Sequence, residues 1–599
     1  MAKAQQNLKQ FRVPLVGTFQ NRDSTLSKDQ RFINCYPESR KNDITESKKI
    51  YLVKRPGLNP ISTISVAVGR GSYYWNGKKY GVFGNTLYAD STSITTLTTT
   101  TGMCSFVEAT TITSNVLIMA DGDMVYVIKS DSTATAVPLS LSAWAGTTAY
   151  ALEQRVVPTT ANGFYYEVTV AGTSGGGEPT WPVFVGQQVV DGTITWECKG
   201  YSNATSARSN SKAYVVGQRI TASNGSITFA FECVATGTSG GSTPTYYFTP
   251  GAITVDGSCQ WLCVGEYRTD APPQKHQPSL AFLDGYVFLV LKKTDGTNSA
   301  DVYNSDLDNP YSWNPVSYIT AEQFPDNATA LARQNNMLVV FGDASTEFFY
   351  DNANLDGSPI SRNTSYTLQS GIAAPRAIYQ NEKFCIFVGQ SQSGGRAVWL
   401  LDGFTPHKIS DEYIERIIDA EGTSIVNATG FGLRTNGHLF YVLNLTNVSL
   451  VYDLEEQMWH QWTGVNCVSV MDNSTGKPIL QHKTNGKYYY LDPTIGTDDS
   501  VAFDMEVITT KYDFETMNRK QIQGMYLVGD QVGTSETVSV RWSDDDYQTW
   551  SSWHSINISG RPYLPRLGAF RRRAFDIKYS GTYPLRWEAL EFFVIGWKA

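Results

Sequence analysis

Cysteines and histidines are the side chains best suited to hold a metal or to act as nucleophile and base, and here they are scattered. The eight Cys stand at 35, 104, 198, 233, 259, 263, 385 and 467. Only Cys259 and Cys263 lie close together. Side-chain alternation along a strand would put both on one face, as zinc would require, but no second Cys pair or His cluster accompanies them. Strand packing is therefore expected, with no metal and no cofactor. The six His (276, 407, 438, 460, 482, 554) stand alone, without an H-E-x-x-H spacing. Neither a G-x-S-x-G elbow nor a phosphate-binding glycine loop occurs. His460, between Trp459 and Trp462, reads as a packing residue. Asp544-Asp545-Asp546 gathers three carboxylates, but adjacent acids in a turn point in different directions, so a solvated turn is expected rather than acid–base catalysis. Carboxylates paired only through folding are not legible in a sequence. No enzyme is expected.

The elements that carry these residues are strands. Of 599 residues, 17% are charged, 41% hydrophobic and 13% aromatic, with 34 Tyr and 50 Gly. That composition excludes intrinsic disorder and suits strands joined by tight turns. The formal charge of −8 does not supply an overall basic clamp for nucleic acid. No apolar run of 18 residues occurs, so no membrane-spanning helix is expected. Met1 to Phe19 is polar and lacks the apolar core of a secretion signal, which predicts initial folding in a cytosol. Helical periodicity is confined to Asp411–Asp419.

One strand phrase recurs: a turn pair, an apolar run, then a second run ending near Asp. The second residues of the turn pairs fall at 77, 115, 285, 336, 382, 437 and 486, with steps of 38, 170, 51, 46, 55 and 49. Removing Ala143 to Glu266, 124 residues, shrinks the long step to 46. A period near 50 with several short strands per step predicts a β-propeller of six to eight blades, because one small sheet cannot cover both its faces alone. A stack of β-sandwiches shares the turn chemistry but has no fixed period. The fold class expected is all-β: a propeller, an inserted tandem β-module and a terminal β-rich docking domain. Its expected divisions are 1–65 (extended docking segment), 66–142 (first blades), 143–266 (insertion), 267–500 (remaining blades) and 501–599 (docking domain).

The insertion is a tandem duplication with copies at about 149–200 and 213–265. At an offset of 65, Ala171-Gly-Thr-Ser-Gly-Gly176 faces Thr236-Gly-Thr-Ser-Gly-Gly241, Val190-Asp-Gly192 faces Val255-Asp-Gly257, and Trp196-Glu-Cys198 faces Trp261-Leu-Cys263. Asp-Gly followed by an alternating run is a hairpin signal. Trp181, Trp196, Tyr246 and Trp261 form either the core of so small a module or a face for stacking on sugars or for partner contact.

Basic residues cluster late. Arg561, Arg566, Arg571, Arg572, Arg573, Lys578 and Arg586 fall within 26 residues, and Lys48, Lys49, Lys54 and Arg55 lie near the start. In a net-acidic chain such groups suit carboxylate-bearing protein partners, with a DNA-facing role as the alternative.

Both ends carry a resemblance. Gln30-Arg-Phe-Ile-Asn-Cys-Tyr-Pro-Glu38 and Tyr51-Leu-Val-Lys-Arg-Pro-Gly-Leu58 resemble the opening of the packaged-DNA stabilisation (tail hub or tail nozzle) proteins of short-tailed bacteriophages. Val538 to Trp550, Arg566 to Arg573 and Phe575 to Ser580 resemble that family's closing β-unit. The resemblance implies a virion structural protein: a hexameric tube below the portal and its adaptor ring, which retains the packaged genome and anchors tail fibres or spikes. Its implied partners are copies of itself, the adaptor, fibre or tailspike proteins, and DNA passing without sequence-specific binding. Its implied location is the virion tail, after folding in the host cytoplasm. Six copies would carry roughly −48, so a bore would repel DNA rather than hold it. The family pattern has no obligatory counterpart of Ala143 to Glu266. A receptor- or glycan-binding adhesin acting through that module is the alternative.

Overall fold

The computed structural model describes residues 8–16, 30–39, 50–137, 142–152, 154–159, 164–183, 186–201, 206–216, 218–225, 227–249, 251–266, 275–293, 297–313, 317–354, 357–472, 476–533 and 535–596. The described residues are all-β apart from the helix Glu412–Ala420 and the short 3-10 turn Gly422–Asn427. Asp411 caps that helix by accepting from the Ile414 amide at 2.9 Å, and Tyr413, Ile414 and Ile418 are its buried side.

Each of the seven repeated phrases forms an antiparallel hairpin in a sheet of its own. The first sheet is Gly69–Trp75, Lys78–Phe83, Thr86–Ala89 and Thr92–Thr96, and the second runs from Ser105–Thr110 to Ala134–Val137. The third spans His276–Leu283 to Tyr318–Thr320, and the fourth Ala328–Gln334 to Ile360–Leu368. The fifth centres on Phe384–Gln390 and Arg396–Asp402, and the sixth begins with Thr429–Thr435, His438–Asn444, Ser449–Asp453 and Met458–Trp462. The seventh combines Cys467–Met471, Ile479–His482 and Lys487–Asp492 with Gly57–Thr63 from the N-terminal segment.

The turn pairs explain the hairpins. Asn76-Gly77, Asp284-Gly285 and Asn436-Gly437 all take positive φ, as two-residue hairpins need to match strand twist. The second strand of each sheet reads as an apolar run because both its faces are covered: Asn115–Ala120, Met337–Gly342 and Phe384–Gln390 are buried almost throughout. Outer strands such as Thr92–Thr96 and Thr405–Lys408 are polar and largely exposed.

Contacts divide the chain into two compact units, one of Met1–Phe106, Glu322–Phe349 and Arg362–Ala599, the other of Val107–Ala321 and Tyr350–Ser361. In the first, neighbouring sheets share cores: Phe341 with Phe387 between the fourth and fifth, Val388 with Tyr441 between the fifth and sixth, Phe440 with Leu480 between the sixth and seventh, and Tyr488 with Phe83 between the seventh and first. Each such fully buried Leu or Phe contributes about 1.5–3 kcal/mol. In the second unit, Ile118 and Val127 pack with Leu289 and Trp313 between the second and third sheets.

The first unit also holds a β-sandwich built from both chain ends. Arg31–Ile33 pairs in parallel with Met458–Trp462, which extends the sixth sheet through Met505–Ile508, Ala574–Tyr579, Thr537–Ser543 and His554–Asn557 to nine strands. The facing sheet comprises Leu8–Pro14, Cys35–Ser39, Ile50–Lys54, Arg586–Gly596, Lys520–Gly529 and Tyr563–Phe570. Leu52, Val507, Ile522, Met525, Phe575, Ile577, Leu590 and Phe592 lie between them. Sheet period and sandwich thus coexist: the repeats make blade-like sheets, and the ends make the sandwich.

Candidate docking surfaces

The late basic cluster separates into buried and exposed members. Arg573 is fully buried, paired with Asp544 at 2.7 and 2.8 Å and stacked 4.5 Å from Phe570 and 5.1 Å from Trp542. It holds the sandwich together and faces no partner. Lys578 pairs with Asp504, and Arg586 with Asp530. Arg561, Arg566, Arg571 and Arg572 are exposed along the edge strand Tyr563–Phe570 and its flanks. Arg571 donates to the Met517 carbonyl at 2.9 Å, and Arg561 lies 4.9 Å from Tyr526 and 5.2 Å from Tyr563. None of these four has a carboxylate partner among the described residues. Their exposed positive charge is therefore available to acidic groups from outside.

The early basic pair is structural. Arg55 has no exposed side-chain surface; it donates to Asn34 Oδ1, the Pro56 carbonyl and the Thr463 carbonyl at 2.9 Å each, pairs with Asp498, and stacks 3.7 Å from Phe503. Lys54 donates to the carbonyls of Gly496 and Gly581, and burial followed by the neighbouring Arg55 lowers its pKa to about 8. Asn34, at positive φ, donates to Thr463 Oγ1 and the Asp504 carbonyl and accepts from the Thr463 amide. The two N-terminal motifs thus meet in one joint linking the sixth sheet, the seventh sheet and the sandwich. Lys48 and Lys49 lie outside the described residues.

The acidic triplet and the lone histidine also resolve. Asp544 pairs with Arg573, Asp545 accepts from Ser543 and Thr549, and Asp546 pairs with Lys511. Each carboxylate closes a different local contact, more than a merely solvated turn would. Burial, then the nearby His438, lowers the His460 pKa to about 3, which makes it a neutral packing group. A groove of about 390 Å³ in the first unit is lined by Leu368, Phe387, Trp399 and Pro406, with Arg396 and Lys408 at its margin. No group of three His, Cys, Asp or Glu among the described residues is placed to hold a metal.

In the second unit, the two modules are two copies of one small sheet. The first is ordered Ser142–Ala143, Arg155–Val157, Phe164–Val170, Ile194–Tyr201, Gln188–Asp191; the second repeats it with Ser206–Ala207, Arg219–Asn224, Ile227–Ala235, Cys259–Glu266, Ile253–Asp256. Trp196 and Trp261 are fully buried, so neither offers a face to a sugar. Each donates its indole N–H at 3.0 Å to the aspartate of its Asp-Gly turn, Asp191 or Asp256. The same aspartates accept from the amides of Gly175 and Gly240 at 2.7 and 2.8 Å. Gly192 and Gly257 take positive φ, and a Cβ there would meet the carbonyls of Thr173 and Thr238 within 2.4 Å. Trp144 supplies a further donor to Asp191, whereas buried Arg208 does so for Asp256. Trp181 and Tyr246 are half-buried; Trp181 lies 4.2 Å from Tyr166, and Tyr246 4.6 Å from Phe231. Cys259 and Cys263 are buried in the second module's core, where burial raises the Cys259 thiol.

Residues 215–495 match the family described as Bacteriophage P22 Gp10, beta-propeller. The match supports a phage tail protein family. It runs from the second module through the seventh sheet and leaves both quoted end motifs outside. No curated protein matches the chain. Among solved structures, BBS1N in complex with ARL6DN is similar at 9% identity and TM-score 0.29, covering 73% of this chain and 98% of that one. An exo-beta-1,3-galactanase from Phanerochaete chrysosporium, at 9% identity and TM-score 0.21, covers 68% and 100%. The computationally designed Ika8 protein, at 10% identity and TM-score 0.21, covers 68% and 99%. At such TM-scores these likenesses bear on neither fold nor function.

Proposed function

We propose that this chain is a structural virion protein, the subunit of a hexameric tail nozzle. The nozzle extends the DNA channel below the portal and adaptor, retains the packaged genome and anchors fibres or spikes. The observation that carries this reading is the propeller-family match over 215–495, together with a terminal sandwich whose Arg561, Arg566, Arg571 and Arg572 meet no carboxylate within the described chain. In this reading those guanidinium groups dock on an acidic adaptor rim, where Arg pairs carboxylates in two-point contacts. The chain acts in the virion tail, without catalysis, and its net charge of −8 favours passage of DNA over its capture.

Negative-stain microscopy of the full chain, alone and with its adaptor ring, tests this directly. Six-fold rings that stack on the adaptor are expected, and a monomer that never docks would overturn the reading. Charge reversal by Arg561→Glu, Arg566→Glu and Arg572→Glu together is expected to weaken docking at least tenfold and to remove most of its salt dependence. Unchanged docking would move the adaptor contact elsewhere.

A further inference from the structure

Among the described residues, the last sheet strand of each module has one neighbour only. Gln188–Asp191 pairs with Ile194–Tyr201, and Ile253–Asp256 with Cys259–Glu266, and no other described strand pairs with the far side of either. The two-residue turns at Asp191/Ile194 and Asp256/Cys259 set the hydrogen-bonding phase. Backbone N–H and C=O groups of Gln188 and Val190, and of Ile253 and Val255, are thereby directed outward. Side chains at these positions lie on the face away from the core: Val190 is 70% exposed, Val255 65% and Ile253 48%. Neither strand has a Lys, Arg or Pro, and their only charges, Asp191 and Asp256, are turned into the core. Edges in monomers are commonly guarded by such residues, and both copies of this module leave theirs uncharged, with exposed Val or Ile at three of the four outward positions.

We infer that these edges pair with each other between neighbouring copies of the chain, Gln188–Asp191 of one copy running antiparallel to Ile253–Asp256 of the next. In the fitting register Val190 lies opposite Ile253 and Gln188 opposite Val255, so apolar surface is covered and each outward backbone group gains a partner. Charge disfavours pairing two first modules. Residues 142–201 hold five acids against two bases, whereas residues 206–266 hold three of each. Pairing two first modules would also bring together their Glu197 side chains, which Gln188 contacts at 2.9 Å beside the edge. Pairing first with second sets that carboxylate near neutral Leu262 and Gln260 instead. A contact between two different edges is heterologous, and such contacts form a ring where the rotation between copies closes. The inference therefore rests on the reading of the chain as a ring subunit.

The test is a Val190→Cys, Ile253→Cys variant of the full chain, oxidised mildly and run on non-reducing gels beside negative-stain grids of the same sample. All eight native cysteines are buried, so the introduced thiols dominate. Disulfides need Cα atoms about 4.4–6.8 Å apart, which the proposed register supplies. Inter-chain ladders are expected, with each single variant giving at least tenfold less product. Adding Gln188→Lys and Val255→Lys should cut the yield by a similar factor while leaving the melting temperature unchanged. Rings without ladders would overturn the edge pairing and leave the nozzle reading intact. Ladders without rings would support the pairing and overturn the ring. Dimers formed efficiently by Val255→Cys alone would overturn the unlike-edge pairing in favour of a two-fold contact.

Discussion

At the residue scale, the modules offer one chemical node in two versions. Asp191 and Asp256 each hold a buried Trp and a glycine turn, but Asp191 adds a neutral donor, Trp144, and Asp256 a buried cation, Arg208. Removing a carboxylate that satisfies neutral donors costs about 1–3 kcal/mol. Without Asp256, Arg208 keeps its hydrogen bonds to Asn210 and to the Gly240 and Ser242 carbonyls but loses its counter-charge, and breaking an ion pair this little exposed costs up to about 3–5 kcal/mol. Asp256→Ala is therefore expected to reduce amide-exchange protection in Cys259–Glu266 more than Asp191→Ala does in Ile194–Tyr201, and only the Asp256→Ala loss should be partly relieved by Arg208→Leu in the same chain; equal losses with no such relief would refute the difference in partners. The duplication and the Trp positions were legible, and the role of the aspartates had a readable signal, since Asp-Gly precedes Trp by the same spacing in both copies. Burial of Trp196 and Trp261 was not decidable, because a strand face looks alike whether a core or a ligand covers it. Substituting either Trp would report on folding before it reported on any sugar.

At the element scale, the repeat was legible because Asn-Gly and Asp-Gly turns announce hairpins locally, and seven phrases became seven sheets. The sandwich was not legible, because its pairings join residues more than 400 positions apart, such as Ile33 with Gln461, and no local pattern encodes them. For the same reason Lys54 and Arg55 read as surface charge, although they are buried where three sheets meet. Arg55 makes four hydrogen-bonded contacts there, to Asn34, Pro56, Thr463 and Asp498. Arg55→Ala is expected to destabilise the first unit by about 3–5 kcal/mol, seen as a lower thermal midpoint. Because the two side chains form one pair, Asp498→Ala in the Arg55→Ala background should add far less than it costs alone. Additive losses would show that the joint does not act through that pair.

At the scale of the whole molecule, the insertion is an accessory with a grip. It leaves and rejoins the chain between the second and third sheets, and it touches the third through Arg155, which reaches Asn309 at 3.3 Å and lies 5.1 Å from the Tyr311 ring. These contacts lie outside the shared core of Ile118, Val127, Leu289 and Trp313, so that core should survive without the module. Insertions of this kind are removable when the backbone they leave behind keeps its own packing. A chain lacking Ala143 to Glu266 is accordingly expected to fold and to form the same rings, but at a protein concentration at least tenfold higher, because the edge contacts between neighbours are gone. Sedimentation over a concentration series, with microscopy of the ring fraction, measures both quantities. Rings at unchanged concentration would mean that the edges serve some other strand, and complete loss of rings at every concentration would make the module the brace on which the assembly depends.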